Sequence, residues 1–172
     1  KKCSFAIMSS AKISAAEVLQ RLNAEHLTLC TAESCTGGLV GKLITDVPGA
    51  SSVYVGGVIS YTNAVKHRVL GVSRDTLAQY TAVSAETAGE MARGARRLLG
   101  ADIAVSVTGL AGPDGDGTGR PVGLVYIALD RAAGCLVQEL HLAGDRAAVR
   151  GAAAQAIFAL LLEALSNSEE CL

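Results

Sequence analysis

The sequence predicts an α/β protein, a single three-layer α/β/α sandwich with a mixed central sheet. Segments with the spacing of amphipathic helices alternate with short apolar or β-branched segments over most of the 172 residues. Such alternation is typical of a sheet covered by helices on both faces. Two strand-like runs, 122–129 and 135–142, flank Gly134 and predict a hairpin. A hairpin adds antiparallel pairing, so the sheet is expected to be mixed.

Composition indicates one domain with an aliphatic core. Half of the residues are hydrophobic, but only 3% are aromatic, so Ala, Val, Leu and Ile are expected to fill the interior. Residues 1–13 are predicted to be a disordered leader, 14–166 the domain and 167–172 a polar tail.

Charge and cysteine content exclude several functional classes. The formal net charge of −1 argues against bulk electrostatic binding to nucleic acid or to a membrane. Five cysteines, with no CxxC pair, predict neither a zinc site nor a disulfide framework. Free thiols indicate a reducing compartment, so we expect a cytoplasmic protein. No apolar stretch approaches the roughly 18–20 residues of a membrane span.

The first helix is predicted over 14–25, because Ser14 and Glu17 form a capping box ahead of an apolar periodic run. Asn63 is the expected cap of a short helix that Gly71 ends. Further helices are predicted from the glycine turn to about 45 and over 74–80, 84–99 and 146–165.

Strands are predicted over 26–32, 53–61 and 102–108, in addition to the hairpin. Gly56 and Gly57 inside the second strand predict a bulge or a close backbone approach. The run 102–108 is predominantly apolar, which is typical of a central strand buried on both faces.

The first candidate site is the turn 31–38, between a strand and a helix. Ser34 supplies a hydroxyl, Cys35 a thiol, and the backbone amides near a helix N-terminus can hold an anion. Gly37 and Gly38 let a ligand approach the backbone. In the alternative interpretation, Ser34 or Thr36 is only a helix cap and the glycines only tighten the turn.

Three further stretches are expected near this turn, because loops beyond strand carboxyl ends bind ligands in such sheets. They are 61–66, 108–115 and 144–146. Candidate contacts in them are Asn63, Thr108, Gly109, Gly112 and Arg146. Arg146 at a helix start can clamp a phosphate, or it is a surface charge.

A serine nucleophile needs a base. His26 and His141 lie on no candidate loop, and His67, beside Lys66, is expected to face outward on the short helix. Lys66 and Tyr61 are the better candidates, since desolvation can lower the pKa of a lysine and Ser-Lys pairs are a known variant of the triad. Alternatively, Lys66 is a solvated helix charge. Cys35 is a rival nucleophile, or a small hydrophobic core residue.

Asp114 and Asp116 in the glycine loop suggest either a metal site or simple turn formation, and carboxylates are more often turn formers. The loop does not match the P-loop or the dinucleotide-binding pattern, since a strand follows it rather than a helix.

Several ordered motifs together resemble the CinA C-terminal domain family, over about 14–165. They are TAESCTGG at 31–38, GVISYTNAVK at 57–66, AVS at 82–84, VSVTGLAGPDG at 105–115, RPVG at 120–123 and GDR at 144–146. Arg120, Asp116 and Leu124 depart from residues common in that family, but none touches the proposed nucleophile or base.

The resemblance implies an α/β/α sandwich, commonly oligomeric, that uses no cofactor and no metal. It also implies hydrolysis of the carboxamide of nicotinamide mononucleotide to nicotinate mononucleotide and ammonia. Ser34 would be the nucleophile, with Lys66 and Tyr61 as base and proton relay, and substrate contacts near Thr108 and Arg146. The oxyanion would be held around Cys35, Thr36 and Gly37. Two alternatives stay open: a nucleotide-sensing module that catalyses nothing, and a Cys35 amidase.

Overall fold

The computed structural model describes residues 13–166. The predicted leader and tail therefore lie outside the described residues, apart from Ile13, which packs against the core. Between 13 and 166 the chain forms six α-helices and five strands. In order they are α1 (Ala15–Ala24), β1 (Leu29–Glu33), α2 (Leu39–Thr45), β2 (Tyr54–Ile59), α3 (Asn63–Leu70), α4 (Arg74–Gln79), α5 (Ala85–Leu99), β3 (Ile103–Gly109), β4 (Leu124–Arg131), β5 (Gly134–His141) and α6 (Arg146–Ser166).

The strands form one mixed sheet in the order β2-β1-β3-β4-β5. β1 pairs in parallel with both β2 and β3, whereas β3–β4 and β4–β5 are antiparallel. The predicted hairpin is β4–β5, and the apolar run at 103–109 is the central strand β3, as its sequence indicates. The predicted mixed sheet is confirmed.

Helices cover both faces of the sheet, which confirms the three-layer sandwich. One face packs on α1, α2 and α6, through side chains such as Leu22, Ile44 and Phe158. The other face packs on α3 and α5, through Leu70, Met91 and Ala95. The aliphatic core predicted from composition is present, and small residues let the helices approach the sheet closely.

The capping pattern at the start of α1 is confirmed, because Ser14 Oγ accepts the Glu17 amide at 3.2 Å. The predicted cap of α3 is wrong by one residue. Thr62 has extended backbone angles and its hydroxyl oxygen accepts the Val65 amide at 3.3 Å, whereas Asn63 is the first residue inside the helix. Threonine and asparagine are both good caps, so local preference did not separate them.

The strand boundaries also differ from the prediction, by one to three residues. The strand predicted over 26–32 begins only at Leu29, because His26 has a φ of 56° and belongs to the turn after α1. The strand predicted over 122–129 is shifted to Leu124–Arg131, since Gly123, with a φ of 91°, turns the chain into it.

Gly56 and Gly57 have the two roles that the sequence predicts. The register between β1 and β2 shifts at this point, so that Val55 bulges out of the ladder. A Cβ on Gly57 would collide with the Thr31 hydroxyl and lie 2.7 Å from the Tyr54 hydroxyl. Glycine is therefore required where β2 passes these two side chains.

Contrary to the expectation from sequence, one helix among residues 13–166, α6, is long and apolar enough to cross a membrane. Half of its apolar window is buried inside the domain. It contacts α1, α2 and the sheet through residues such as Ile157 and Leu161, as a core helix does.

Candidate active site

The candidate site lies at one edge of the sheet, where three parallel strands end. Ser34 directly follows β1, Ser60 directly follows β2, and Thr108 and Gly109 end β3. Because these strands are neighbours and parallel, their carboxyl ends meet at the same edge. A pocket of about 320 Å³ opens there, and Arg146 at the start of α6 also lines it.

Ser34 and Lys66 meet at the floor of this pocket. Lys66 Nζ lies 2.8 Å from Ser34 Oγ and 2.7 Å from the carbonyl oxygen of Ser60. The carbonyl oxygen of Tyr61 is a weaker acceptor at 3.5 Å. In the neutral amine two N–H groups suffice for the two carbonyls, which leaves the lone pair of Nζ available to the serine hydroxyl. This direct contact is the geometry that a serine nucleophile and a lysine base require.

Burial changes the chemistry of the Lys66 amine. The side chain is only 1% exposed, although it lies on a short helix at the edge of the sheet. Desolvation lowers the pKa of Lys66 from 10.5 to about 8, because burial penalises the charged form. No ion pair within residues 13–166 involves Lys66. The interpretation of Lys66 as a solvated helix charge is therefore wrong.

Glu33, which precedes Ser34, organises the turn in a way that sequence analysis missed. Its buried carboxylate accepts the backbone amides of Gly38 and Val40 at 3.0 Å and that of Gly41 at 2.8 Å. These are N-terminal amides of α2, which otherwise have no partners in the helix. The signal that could have revealed this cap is an acidic residue just before the candidate nucleophile and six residues before the first residue of a helix.

Gly37 and Gly38, which were predicted near the oxyanion, do not offer free amides. The Gly37 amide donates to Ser34 O at 3.0 Å, and the Gly38 amide donates to Glu33. Thr36 is fully buried and, like these glycines, does not line the pocket. Within this turn, only Ser34 and Cys35 line the pocket. Of the residues predicted to hold the oxyanion, Cys35 is thus the one that reaches the pocket wall.

Cys35 belongs to the hydrophobic core cluster as well as to the pocket wall. Desolvation raises the pKa of its thiol to about 11, against opposing contributions from its own amide and from the charges of Lys66 and Arg150. A thiol with this pKa is protonated at neutral pH and is a poor nucleophile.

Tyr61 stands at the rim of the pocket, with 59% of its surface exposed. Its hydroxyl oxygen accepts a hydrogen bond from Arg146 Nη2 at 3.2 Å, while Arg146 Nη1 donates to the carbonyl oxygen of Gly112 at 2.8 Å. It is the Tyr61 carbonyl that contacts Lys66. The phenol is thus placed to orient Arg146, and the structure shows it bonded to neither Ser34 nor Lys66.

The glycine loop after β3 forms one wall of the pocket, through Gly109 and Gly112 among others. Thr108 also lines it, but its hydroxyl donates to the carbonyl oxygen of Ala82 at 2.6 Å and so joins two loops. Asn63 does not line the pocket. Wall residues that sequence analysis did not propose as ligand contacts are Ala82, Val83, Leu110, Ala111, Asp114, Gly115 and Asp116.

Asp116 stabilises a turn, because one of its carboxylate oxygens accepts hydrogen bonds from both the amide and the hydroxyl of Thr118. These bonds lower the pKa of its carboxyl. No group of three His, Cys, Asp or Glu side chains within residues 13–166 has the arrangement of a metal site.

Comparison with known proteins identifies the family. The profile of the CinA C-terminal domain matches residues 11–165. The chain belongs to the CinA C-terminal domain family. A competence-damage inducible protein of Acetivibrio thermocellus is 52% identical over 125 residues, which are 73% of this chain and 30% of that protein. A CinA-like protein of Geobacter sulfurreducens is 53% identical over 124 residues, 72% of this chain and 30% of its own length.

Solved structures of CinA proteins share the fold over nearly the whole chain. A CinA superfamily protein of Klebsiella pneumoniae superimposes with a TM-score of 0.87 at 35% identity, covering 89% of this chain and 96% of that one. A competence/damage inducible protein of Agrobacterium tumefaciens gives 0.85 at 36% identity, with 94% and 99% covered. The chain spans about 30% of the length of the curated CinA relatives above.

Proposed function

We propose that this domain is a serine amidohydrolase that deamidates nicotinamide mononucleotide to nicotinate mononucleotide and ammonia. The observation that carries the proposal is the 2.8 Å contact between Ser34 Oγ and the buried Lys66 Nζ. A lysine whose pKa lies near 8 is neutral in an appreciable fraction of molecules at neutral pH, and then its lone pair accepts the serine proton.

In the proposed reaction Lys66 accepts and returns a proton twice, first the proton of Ser34 and then a proton of water. Neutral Lys66 takes the proton of the Ser34 hydroxyl as Oγ attacks the carboxamide carbon. The tetrahedral oxyanion is stabilised by the Cys35 amide, and collapse expels ammonia with the proton returned by Lys66. Water then attacks the nicotinoyl ester, again losing its proton to Lys66, and Ser34 leaves with that proton. At the end of the cycle the Ser34 hydroxyl and the neutral Lys66 amine are both regenerated.

The charged side chains around the pocket support a substrate that carries both a negative and a positive group. Arg146 supplies a guanidinium at the rim that its bonds to Tyr61 and Gly112 hold in place. A guanidinium in a fixed orientation suits a phosphate group. Asp114 on the glycine loop supplies a negative charge to the same pocket, which suits a cationic pyridinium ring. The volume of about 320 Å³ is within the range of small-molecule sites.

The thiols support a cytoplasmic setting for the proposed reaction. Cys30, Cys35 and Cys135 are free in the structure, which is the expected state in a reducing cytoplasm. We therefore place the reaction in the cytoplasm.

The decisive experiment measures ammonia release from nicotinamide mononucleotide by the purified, chelator-treated protein. Ser34→Ala and Lys66→Ala are expected to lose turnover while keeping the fold, as judged by circular dichroism. Cys35→Ala is the matched variant at the neighbouring position and is expected to keep turnover, because its thiol is protonated. Loss of activity in Cys35→Ala with retention in Ser34→Ala would establish the cysteine amidase instead. Saturable binding without turnover by the wild type would establish a sensing module.

A further inference from the structure

Arg150 connects α6 to the turn that carries Ser34. It lies one helical turn beyond Arg146, so both arginines project from the same side of α6. Its Nη2 donates to the carbonyl oxygen of Thr36 at 2.6 Å. The same nitrogen lies 3.6 Å from the position that a Cβ on Gly37 would occupy. The guanidinium therefore rests directly on the chain two and three residues after Ser34.

The environment of Arg150 is not one that favours stability. No ion pair within residues 13–166 involves it. Its Nε and the hydroxyl oxygen of Thr36 are both buried and have no hydrogen-bond partner among these residues. Arg150 as a whole is half-buried, and a partly desolvated cation that has no acidic partner among these residues and leaves an N–H unsatisfied costs free energy of folding. Its contact with Thr36 is therefore best explained by a role in the site.

We propose that Arg150 is a positioning residue that holds the turn 34–38 in its reactive conformation. By fixing the Thr36 carbonyl, it keeps Ser34 Oγ against Lys66 and the Cys35 amide at the pocket wall. Arg146 holds the loops after β2 and β3 through Tyr61 and Gly112, and Arg150 holds the turn after β1. The first turns of α6 thus connect all three loops of the pocket. This inference rests on the proposed role of Ser34 as nucleophile.

The test measures the reactivity of Ser34 directly, without relying on the identity of the substrate. A fluorophosphonate probe is attacked by Ser34 Oγ, fluoride leaves, and the serine proton passes to Lys66. The second-order rate of labelling of Ser34 is followed by mass spectrometry in the wild type, Arg150→Ala and Arg150→Lys. Arg131→Ala is the matched control, since Arg131 Nη1 donates to the Ala164 carbonyl at 2.9 Å near the opposite end of α6.

Arg150→Ala is expected to react about 10- to 100-fold more slowly, because a misplaced nucleophile and oxyanion donor cost that much. Low, non-denaturing concentrations of guanidinium are expected to restore part of the labelling rate of Arg150→Ala. Arg150→Lys is expected to react at a rate between those of the wild type and Arg150→Ala, since lysine lacks the planar guanidinium fork. With nicotinamide mononucleotide, kcat should fall while KM changes little. Arg131→Ala should stay within about twofold of the wild type in every rate.

The outcomes separate this inference from the proposed function. If Arg150→Ala is folded and labels at the wild-type rate, the positioning role is wrong and the amidase proposal stands. If the wild type reacts with the probe but releases no ammonia from nicotinamide mononucleotide, the substrate is wrong, and the probe rates still decide the role of Arg150. If the wild-type serine reacts with neither, both proposals are overturned.

Discussion

Lys66 Nζ donates to the backbone carbonyl of Ser60 at 2.7 Å. This bond, together with the contact to Ser34, orients a buried amine by neutral groups alone. Neutral acceptors satisfy the N–H groups of the amine but do not compensate its charge as a carboxylate would, so desolvation dominates and the pKa falls to about 8.

The first prediction concerns the pH dependence of the reaction. Only the neutral amine can accept the proton of Ser34, so kcat/KM is expected to rise with pH and to level off above about 8. Lys66→Ala is expected to lose about 10²- to 10⁴-fold in kcat/KM. Steady-state rates between pH 6 and 9.5 check both. A flat profile in the wild type would show that Lys66 is not the base.

The second prediction concerns stability. The folded-state pKa of Lys66 lies below its ordinary value of 10.5, so between pH 8 and 10.5 the unfolded chain binds more protons and stability rises with pH. The full shift corresponds to a gain of about 3 kcal/mol in the free energy of unfolding. This gain is absent below pH 8 and complete above pH 10.5. Lys66→Met should lack this rise and be more stable at pH 7. Urea unfolding across this range measures it.

Lys42→Met is the control for that series, since Lys42 is exposed and forms a surface ion pair with Asp46. Its stability profile should run parallel to that of the wild type. Equal slopes for the wild type and Lys66→Met would mean that Lys66 is not desolvated in the folded protein.

The third prediction separates two roles for Tyr61. Its hydroxyl contacts Arg146 and not the Ser34–Lys66 pair, so Tyr61→Phe is expected to raise KM several-fold with little change in kcat. Tyr126→Phe is the control, because that hydroxyl donates to Glu139 outside the pocket. A large loss of kcat with unchanged KM would restore the proton-relay role for Tyr61.

The fourth prediction concerns the cap that Glu33 provides. Glutamine retains one acceptor oxygen but turns an NH₂ group toward backbone amides that the carboxylate accepted. Glu33→Gln is therefore expected to lower the free energy of unfolding by about 1–3 kcal/mol and to reduce kcat. Glu17→Gln, on the exposed surface of α1, should change stability by no more than about 0.5 kcal/mol. Urea unfolding and initial rates test the pair, and an unaffected Glu33→Gln would contradict the structural role.

The fifth prediction uses two helical glycines. A Cβ on Gly94 would collide with the backbone carbonyl of Leu70, so Gly94→Ala must push α5 away from α3, the helix that carries Lys66. We expect a loss of stability of more than about 2 kcal/mol and reduced activity. Gly151 in α6 has open space around its Cβ position, so Gly151→Ala should stabilise by about 0.5–1 kcal/mol. Thermal unfolding that ranks the two variants in the opposite order would contradict this contrast.

Much of the fold was predictable because its signals are local. The Ser14 cap, the glycine that ends α5 and the predominantly apolar run of β3 each depend on residues close in sequence. The errors are local as well. Adjacent Thr62 and Asn63 are comparable caps, and the onset of β1 was predicted too early because a positive φ at His26 leaves no sequence signal.

The sequence by itself determined the order of helices and strands, the aliphatic core, and the loops from which Ser34, Lys66 and Arg146 come. Only the tertiary structure decided which groups these side chains contact. It buries Lys66 against Ser34, 32 residues away, and directs Tyr61 to Arg146, 85 residues away. It also assigns the α2 amides to Glu33. The physical reason is that burial and hydrogen-bond partners across different elements depend on how the layers pack, and no short stretch of sequence encodes them.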